Sequence, residues 1–496
     1  MITVLFSVFA DLRWLSNWDD FGEWGAHAFI FFHNNGFIRA EDVGQNKFYP
    51  PGTALFSYLF THCNNFSDGT LLLAQNLLCM SPFALIVQNT QWRQWKEIFT
   101  ALTFILLSLI LLFNLHIGYK THLSNGNLVG LFFGGLLLLY YQSKREAKDI
   151  LLLYPLIFCF CLLEPLLITI VLLISILLIF DHIYFYIGQT KKNNLSFSQL
   201  IGQLALCLSL VVVGLIATVS WQYYVHYAQL ETSSDVHLSV SAVTHFFSHP
   251  LNAKEQGILQ QMLHLLLTLI PSFCLLLIGA TISVWLSRRF STAARLLLWQ
   301  VALFCGFLFY LFGLFILHLY GYQTLAAVFQ GFTRYVRIYL VAWTLFTCGI
   351  LCQTYLSTTG RPACHKRNSF FFIVSACSML VLTIAWSMGL YQQKNEHRSY
   401  ASLRFIGEKV RRSIHKKTTI CLLFHGLSAT NRIQLYYQVL PNSLKSFAVS
   451  NPQAAIHSLL TTKKYKTCHS FLLLDLDQSG ELSYASLLSY IPRPSK

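Results

Sequence analysis

Asp19, Asp20 and Glu23 fall within five residues of one another, flanked by Trp14, Trp18 and Trp24 in the stretch W-L-S-N-W-D-D-F-G-E-W-G. An ionised carboxylate accepts a hydrogen bond from a hydroxyl group and can take its proton, while an indole face covers the apolar side of a pyranose ring. The set therefore suits general-base chemistry on a hydroxyl-rich ligand. The competing reading is a loop end at which tryptophans anchor the headgroup layer and the carboxylates are solvated. A second group follows at Lys47-Phe48-Tyr49-Pro50-Pro51-Gly52. The two prolines fix their φ angles and, with the glycine, mark an extended approach to a helix starting near Thr53, which would hold Lys47 and Tyr49 at the same face. A plain structural turn would carry the same signature.

The elements that must position these residues are apolar. The 496-residue chain is 55% hydrophobic and 11% charged, with a mean hydropathy of +0.52, so most of its surroundings are lipid. A helix crossing a bilayer core of about 30 Å needs roughly 20 residues. Candidate spans lie near 70 to 89, 97 to 114, 125 to 142, 149 to 163, 165 to 187, 200 to 221, 260 to 286, 296 to 319, 336 to 356 and 369 to 391. The fourth and fifth form one apolar stretch broken at Glu164-Pro165. Glu164 is an ionisable group between apolar runs, costly unless it reaches water or a partner, and reads as a turn capped at the interface or as a contact to an acceptor or lipid carrier. Met1 to Ala10 is apolar but only half a span, and lacks the basic start and small-residue cleavage site of a signal peptide. A truncated or misplaced start fits it better.

Positive residues stay on the cytoplasmic side of short loops. Arg93 and Lys96, Lys144, Arg145 and Lys148, Lys191 and Lys192, Arg288, Arg289 and Arg295, and Arg361, Lys366 and Arg367 all fall on one side. The acidic loop and the tail after residue 391 are then extracytoplasmic, and the chain is read as an integral membrane protein. This asymmetry accounts for much of the formal charge of +15 without nucleic acid. The basic tail segment Arg398 to Lys417 suits a solvated juxtamembrane helix or contact with anionic headgroups among the membrane lipids. Thirteen cysteines do not make a disulfide framework, because most lie in apolar spans; only Cys421 and Cys468 share the tail and could pair. Three divisions result: 1–69, a partial first span and acidic loop; 70–391, a helical membrane domain with an external loop at 222–259; and 392–496, a small tail domain. In the tail, T-I-C-L-L-F and S-F-L-L-L-D read as buried strands, with a helix from about Asn431 to Val439 between them.

Two other patterns attract less weight. Glu231, Asp235, His237, His245 and His249 lack the helical spacing of a metal site, so no metal ligand is assigned. Asp475 to Ser483 matches the start of a calcium-binding EF-hand loop, but Ser486 stands where the bidentate Glu is required, which favours a polar turn after a strand. A phosphate-cradling glycine loop is not visible, which suits a lipid-linked donor better than a nucleotide sugar.

Trp18-Asp19-Asp20-Phe21, the Lys47 to Gly52 segment and Gly331-Phe332-Thr333-Arg334-Tyr335 together resemble motifs of the GT-C superfamily of polytopic membrane glycosyltransferases using polyprenyl-phosphate-linked sugars. That family tends to have Glu where Asp20 stands and His where Glu23 stands, and its first span precedes the acidic motif. The resemblance implies an all-α polytopic membrane protein of about ten to eleven transmembrane helices with a small extracytoplasmic α/β domain at the C-terminus. It implies transfer of a sugar from a polyprenyl-phosphate donor to a glycan or lipid-linked acceptor at the outer face, in cell-envelope glycan synthesis or modification. Asp19 would be the general base, with Asp20 or Glu23 orienting the acceptor, and Trp18, Trp24, Lys47 and Tyr49 beside the substrate. Arg334, with Arg337 behind it and Tyr335 adjacent, would bind the phosphate, since guanidinium engages phosphate oxygens bidentately; a cation snorkelling to the headgroups is the other reading. No cofactor is assigned, and a divalent cation is compatible with the acidic loop. A polysaccharide ligase or polymerase using the 222–259 loop, and a transporter or flippase without covalent chemistry, remain alternatives.

Overall fold

The computed structural model describes residues 24–42, 46–64, 66–88, 90, 94–114, 125–164, 167–190, 197–230, 248, 250, 252–286, 290–321, 325–359, 406, 410, 419–425, 443–448, 470–476 and 482–489. Within them the chain forms helices α1 (Gly25–Asn34), α2 (Gly52–Asn64), α3 (Asp68–Met80), α4 (Ala84–Val87), α5 (Trp95–Asn114), α6 (Asn125–Gln142), α7 (Ala147–Leu151), α8 (Leu153–Cys161), α9 (Leu167–Thr190), α10 (Phe197–Tyr227), α11 (Ala253–Leu286), α12 (Phe290–Ile316) and α13 (Leu325–Thr359). Local sequence sets several of these boundaries. The Ser67 hydroxyl caps α3 by accepting from the Thr70 N–H at 3.1 Å. Glu146 and Asp149 form a reciprocal capping box at the start of α7.

Among the described residues, five stretches are long and apolar enough to cross a membrane: Asp68–Val87, Leu167–Ile187, Phe197–Tyr227, Ala293–Tyr320 and Arg334–Leu356. A sixth arises if Glu255–Pro271 and Phe273–Leu286, bent by 46° beside Pro271, count as one. The expected ten to eleven spans are therefore not all present at that length among the described residues. Glu97–Ser108 and Gly126–Gln142 are shorter apolar helices. The stretch expected at 149 to 163 is two short helices, α7 and α8, and Pro155 in the first turn of α8 lacks the N–H that a continuous helix would need there. The span expected at 369 to 391, the basic segment 398–417 apart from Ile406 and Val410, and half of the 222–259 loop, including its five candidate metal ligands, lie outside the described residues.

Helix α13 is the axis of the bundle, with Tyr339, Trp343 and Phe346 fully buried. It packs along α6, where Gly126, Gly130 and Gly134 recur every fourth residue. A Cβ at Gly130 would sit 2.7 Å from the Ile338 carbonyl oxygen, and one at Gly134 would sit 2.6 Å from that of Ala342. The two helices thus meet backbone to backbone, which only small residues permit. At the basic-loop end of the bundle the Asp181 carboxylate of α9 accepts from Arg295 Nε at 2.8 Å, Arg295 Nη2 at 2.9 Å and Trp299 Nε1 at 2.9 Å. Arg145 Nε lies 2.9 Å from the same carboxylate. One buried anion thereby ties α9, α12 and the α6–α7 turn together. A charge at membrane depth is tolerated only when paired in this way. Cys161, Cys207 and Cys352 are free and packed as small apolar groups within the bundle.

In the tail, strands β1 (Thr419–His425), β2 (Ser443–Ala448), β3 (Ser470–Leu476) and β4 (Leu482–Ser489) form one sheet in the order β2-β1-β3-β4. β1 is parallel to both β2 and β3, while β4 runs antiparallel to β3. The two strands expected from sequence are β1 and β3; the expected helix at 431–439 lies outside the described residues. Parallel neighbours need long crossovers, and 426–442 and 449–469 leave room for them. Asp475 belongs to β3 and pairs with Tyr484, and Ser486 pairs with Leu473, so the EF-hand-like sequence is spent on a hairpin. Cys421 lies in β1, whereas Cys468 lies outside the described residues.

Candidate functional site

At the end of the bundle away from the basic loops, α8 gives way to α9. The turn tightens through Leu162 N–H donating to the Cys159 carbonyl at 3.2 Å and Leu163 N–H donating to that of Phe160 at 3.0 Å. Pro165 follows, and the residue before a proline is disfavoured in helical geometry, which favours the break at Glu164. The Tyr-Pro-Pro-Gly segment docks on this break. Gly52 N–H donates to the Leu162 carbonyl at 2.8 Å, and a Cβ at Gly52 would sit 2.6 Å from the same oxygen. Glycine is required there for contact rather than for backbone freedom.

The segment leading into that glycine is pinned by α10. Trp221 Nε1 donates to the Phe48 carbonyl at 2.7 Å, Tyr224 donates to the Ile38 carbonyl at 3.0 Å, and the two rings stack at 5.3 Å. Asp42 accepts from the Arg39 N–H at 2.8 Å and from the Asn34 side chain, closing the turn after α1. Lys47 is buried, and its ammonium donates to the Ala40 carbonyl at 2.8 Å. Among the described residues no carboxylate forms an ion pair with it. Tyr49 stacks on Phe48 at 5.0 Å and tilts against Trp24 at 5.4 Å. Trp24 is itself buried at the head of α1, where Ala26, Ala28 and Phe29 pack with Leu71 and Leu72 of α3.

Opposite this segment, the N-terminal half of α13 carries Arg334 and Tyr335. Arg334 Nη2 donates to the Tyr335 hydroxyl at 3.3 Å, and that hydroxyl donates to Glu164 Oε1 at 3.3 Å. The guanidinium carbon lies 5.1 Å from the Tyr335 ring centre. Arg334 also interacts electrostatically with Glu164 and Tyr49. Glu164, outside the candidate spans and only 5% exposed, has its carboxyl pushed above its ordinary range by burial, with the Arg334 cation and the Tyr335 hydroxyl acting against that rise. Tyr310 of α12 donates to the Tyr335 carbonyl at 3.1 Å and completes the wall. The indole N–H of Trp24, the Thr53 hydroxyl and Arg337 Nε are buried polar atoms without a hydrogen-bond partner among the described residues. Buried donors of this kind suit an anionic or hydroxyl-bearing ligand.

Of the residues expected from sequence, Trp24, Tyr49, Arg334 and Tyr335 are brought together, and Lys47 lies two residues before Tyr49 on the same pinned segment. Arg337 is half-buried on the following turn of α13. Trp18, Asp19, Asp20 and Glu23 lie outside the described residues. Glu164 is not a cap at a solvated turn, because its carboxylate faces inward to Tyr335. Sequence reasoning passed over Trp221 and Tyr224, whose signal was two aromatic residues three apart at the end of an apolar run. Among the described residues no group of three or more His, Cys, Asp or Glu side chains is gathered to hold a metal.

No family model matches the chain, and no curated protein matches it. Among solved structures it is similar to ArnT from Cupriavidus metallidurans in the apo state, with 14% identity and a TM-score of 0.47 over 96% of this chain and 93% of that one. It is similar to the same protein bound to undecaprenyl phosphate, with 14% identity and a TM-score of 0.48 over the same shares, 96% and 93%.

Proposed function

We propose that this chain is a GT-C type membrane glycosyltransferase, moving a sugar from a polyprenyl-phosphate donor to a glycan or lipid-linked acceptor at the outer membrane face. The observation that carries the reading is the meeting of Arg334 and its Tyr335–Glu164 partners with the Lys47 to Gly52 segment at the α8–α9 break. Support also comes from the sequence: Trp24 follows directly on Glu23 and lies four residues after Asp20, so the acidic motif stands in the chain immediately before the ring that packs on Tyr49.

Asp19 takes the proton of the acceptor hydroxyl as that oxygen attacks the anomeric carbon, and Asp20 or Glu23 orients the acceptor. The bond from the anomeric carbon to the phosphate oxygen breaks on the opposite face. Lipid phosphate leaves as an anion, so it needs cationic donors more than a general acid. Arg334 and Lys47 supply them, Arg337 adds positive charge one turn along, and Trp18, Trp24 and Tyr49 offer ring faces to the sugar.

The test is retention of undecaprenyl phosphate against neutral undecaprenol by the full chain in nanodiscs. The native chain is expected to prefer the phosphate, with Arg334→Gln and Lys47→Gln each losing on the order of tenfold to a hundredfold of that preference, the worth of a charge-assisted hydrogen bond. Equal retention of the two lipids by the native chain would contradict the assignment.

A further inference from the structure

The Arg334 side chain is approached from three sides, by groups on α6, on its own helix and at the α8–α9 break. On α6, a Cβ at Gly126 would sit 3.0 Å from Arg334 Cγ and 3.5 Å from its Cδ, so the missing side chain opens the path that the arginine stem follows. On its own helix, Tyr335 takes a hydrogen bond from Nη2 and lies under the guanidinium. At the α8–α9 break, Glu164 accepts from the same Tyr335 hydroxyl and acts electrostatically on Arg334. Glu164 makes no direct hydrogen bond to Arg334 among the contacts described; the tyrosine stands between them. The break that carries Glu164 is in turn fixed by the Gly52 contact to Leu162, and the Tyr335 backbone by Tyr310.

We infer that Glu164 is a positioning residue for Arg334: through the Tyr335 hydroxyl it fixes the guanidinium along the path opened by Gly126, so that the anion site is set before its ligand arrives. This rests on the proposed function and deepens it. The physical gain is preorganisation, because a long cationic side chain held in one geometry loses less freedom on binding. Two effects of opposite sign compete at Glu164. If the carboxylate were only a counter-ion competing with the ligand, its removal would strengthen anion binding. If it positions the arginine, its removal weakens binding even though a negative charge has been taken away.

The experiment is undecaprenyl phosphate and undecaprenol retention by nanodisc-held full chains of native sequence, Glu164→Gln, Tyr335→Phe, Arg334→Gln and the Glu164→Gln/Arg334→Gln pair, each also followed by thermal unfolding. Glu164→Gln and Tyr335→Phe are expected to lose about tenfold of the phosphate preference, the lower end of what removing a residue behind a ligand-binding group costs. Undecaprenol retention should not change, and the double variant should fall no further than Arg334→Gln alone. A rise in phosphate retention, no change, or additive losses in the double variant would each overturn the inference while the native preference stands. If Glu164→Gln does not fold, Tyr335→Phe decides the matter in the same assay. Absence of any native preference is a failure of the proposed function and is distinguishable from these results.

Discussion

A buried polar residue bears weight in this chain where several partners converge on it. Asp181 is the clearest case: two arginines and an indole N–H converge on one carboxylate. Asp181→Asn would leave two cations short of their anion, and breaking such a pair costs about 3–5 kcal/mol. A matching fall in detergent-resistant folded protein on heating checks this. At the opposite end, Trp221→Phe removes the donor to the Phe48 carbonyl while keeping a ring in place. It should cost about 1–3 kcal/mol, read as a lower unfolding midpoint. Residue types were the most legible layer of the sequence: Lys47, Tyr49 and Arg334 stood out by charge, ring and motif. Trp221 and Tyr224 did not, since an aromatic pair at a helix end reads as a headgroup anchor until the loop carbonyls they hold are seen.

Among the elements, the contact of α6 with α13 sets where everything else can sit, because it fixes the stem of Arg334 over Gly126. Gly130→Leu must push Ile338 and Val341 away, and overpacking of this kind costs about 1–3 kcal/mol or more. Gly202→Ala, on a helix glycine with nothing within 4 Å, should instead be neutral or stabilise by up to about 1 kcal/mol. Thermal unfolding of the two variants side by side separates close approach from simple helix propensity. Helix positions from α5 to α13 were legible in the apolar runs, and the break at Glu164-Pro165 was legible from the proline. The split at Pro155 was not, because apolar composition continues across it and only the missing N–H interrupts the helix. Strands β2 and β4 were also passed over, since S-L-K-S-F-A and L-S-Y-A-S-L-L-S mix polar and small residues and acquire their pairing from β1 and β3.

Across the whole molecule two charged networks mark the ends of one bundle. Leu167 and Asp181 are separated by about 21 Å of α9, so the Glu164 and Asp181 networks lie near opposite faces of a bilayer core. By the positive-inside rule the Asp181 end is expected on the cytoplasmic side. A membrane-impermeant maleimide should therefore label Arg39→Cys in intact cells and label Lys144→Cys only after permeabilisation; the reverse pattern would invert the orientation. Loop charge is the sequence signal on which the expected orientation rests, while the joining of three distant segments into one corner depended on packing that no local pattern encodes. The central claim is outer-face glycosyl transfer through the acidic loop. It is tested most directly by mass spectrometry of surface glycans from cells lacking the protein and then supplied with the native chain or with Asp19→Asn plus Asp20→Asn at equal membrane levels. The account predicts that the native chain restores a defined sugar and the double variant does not. Equal restoration by both would contradict it.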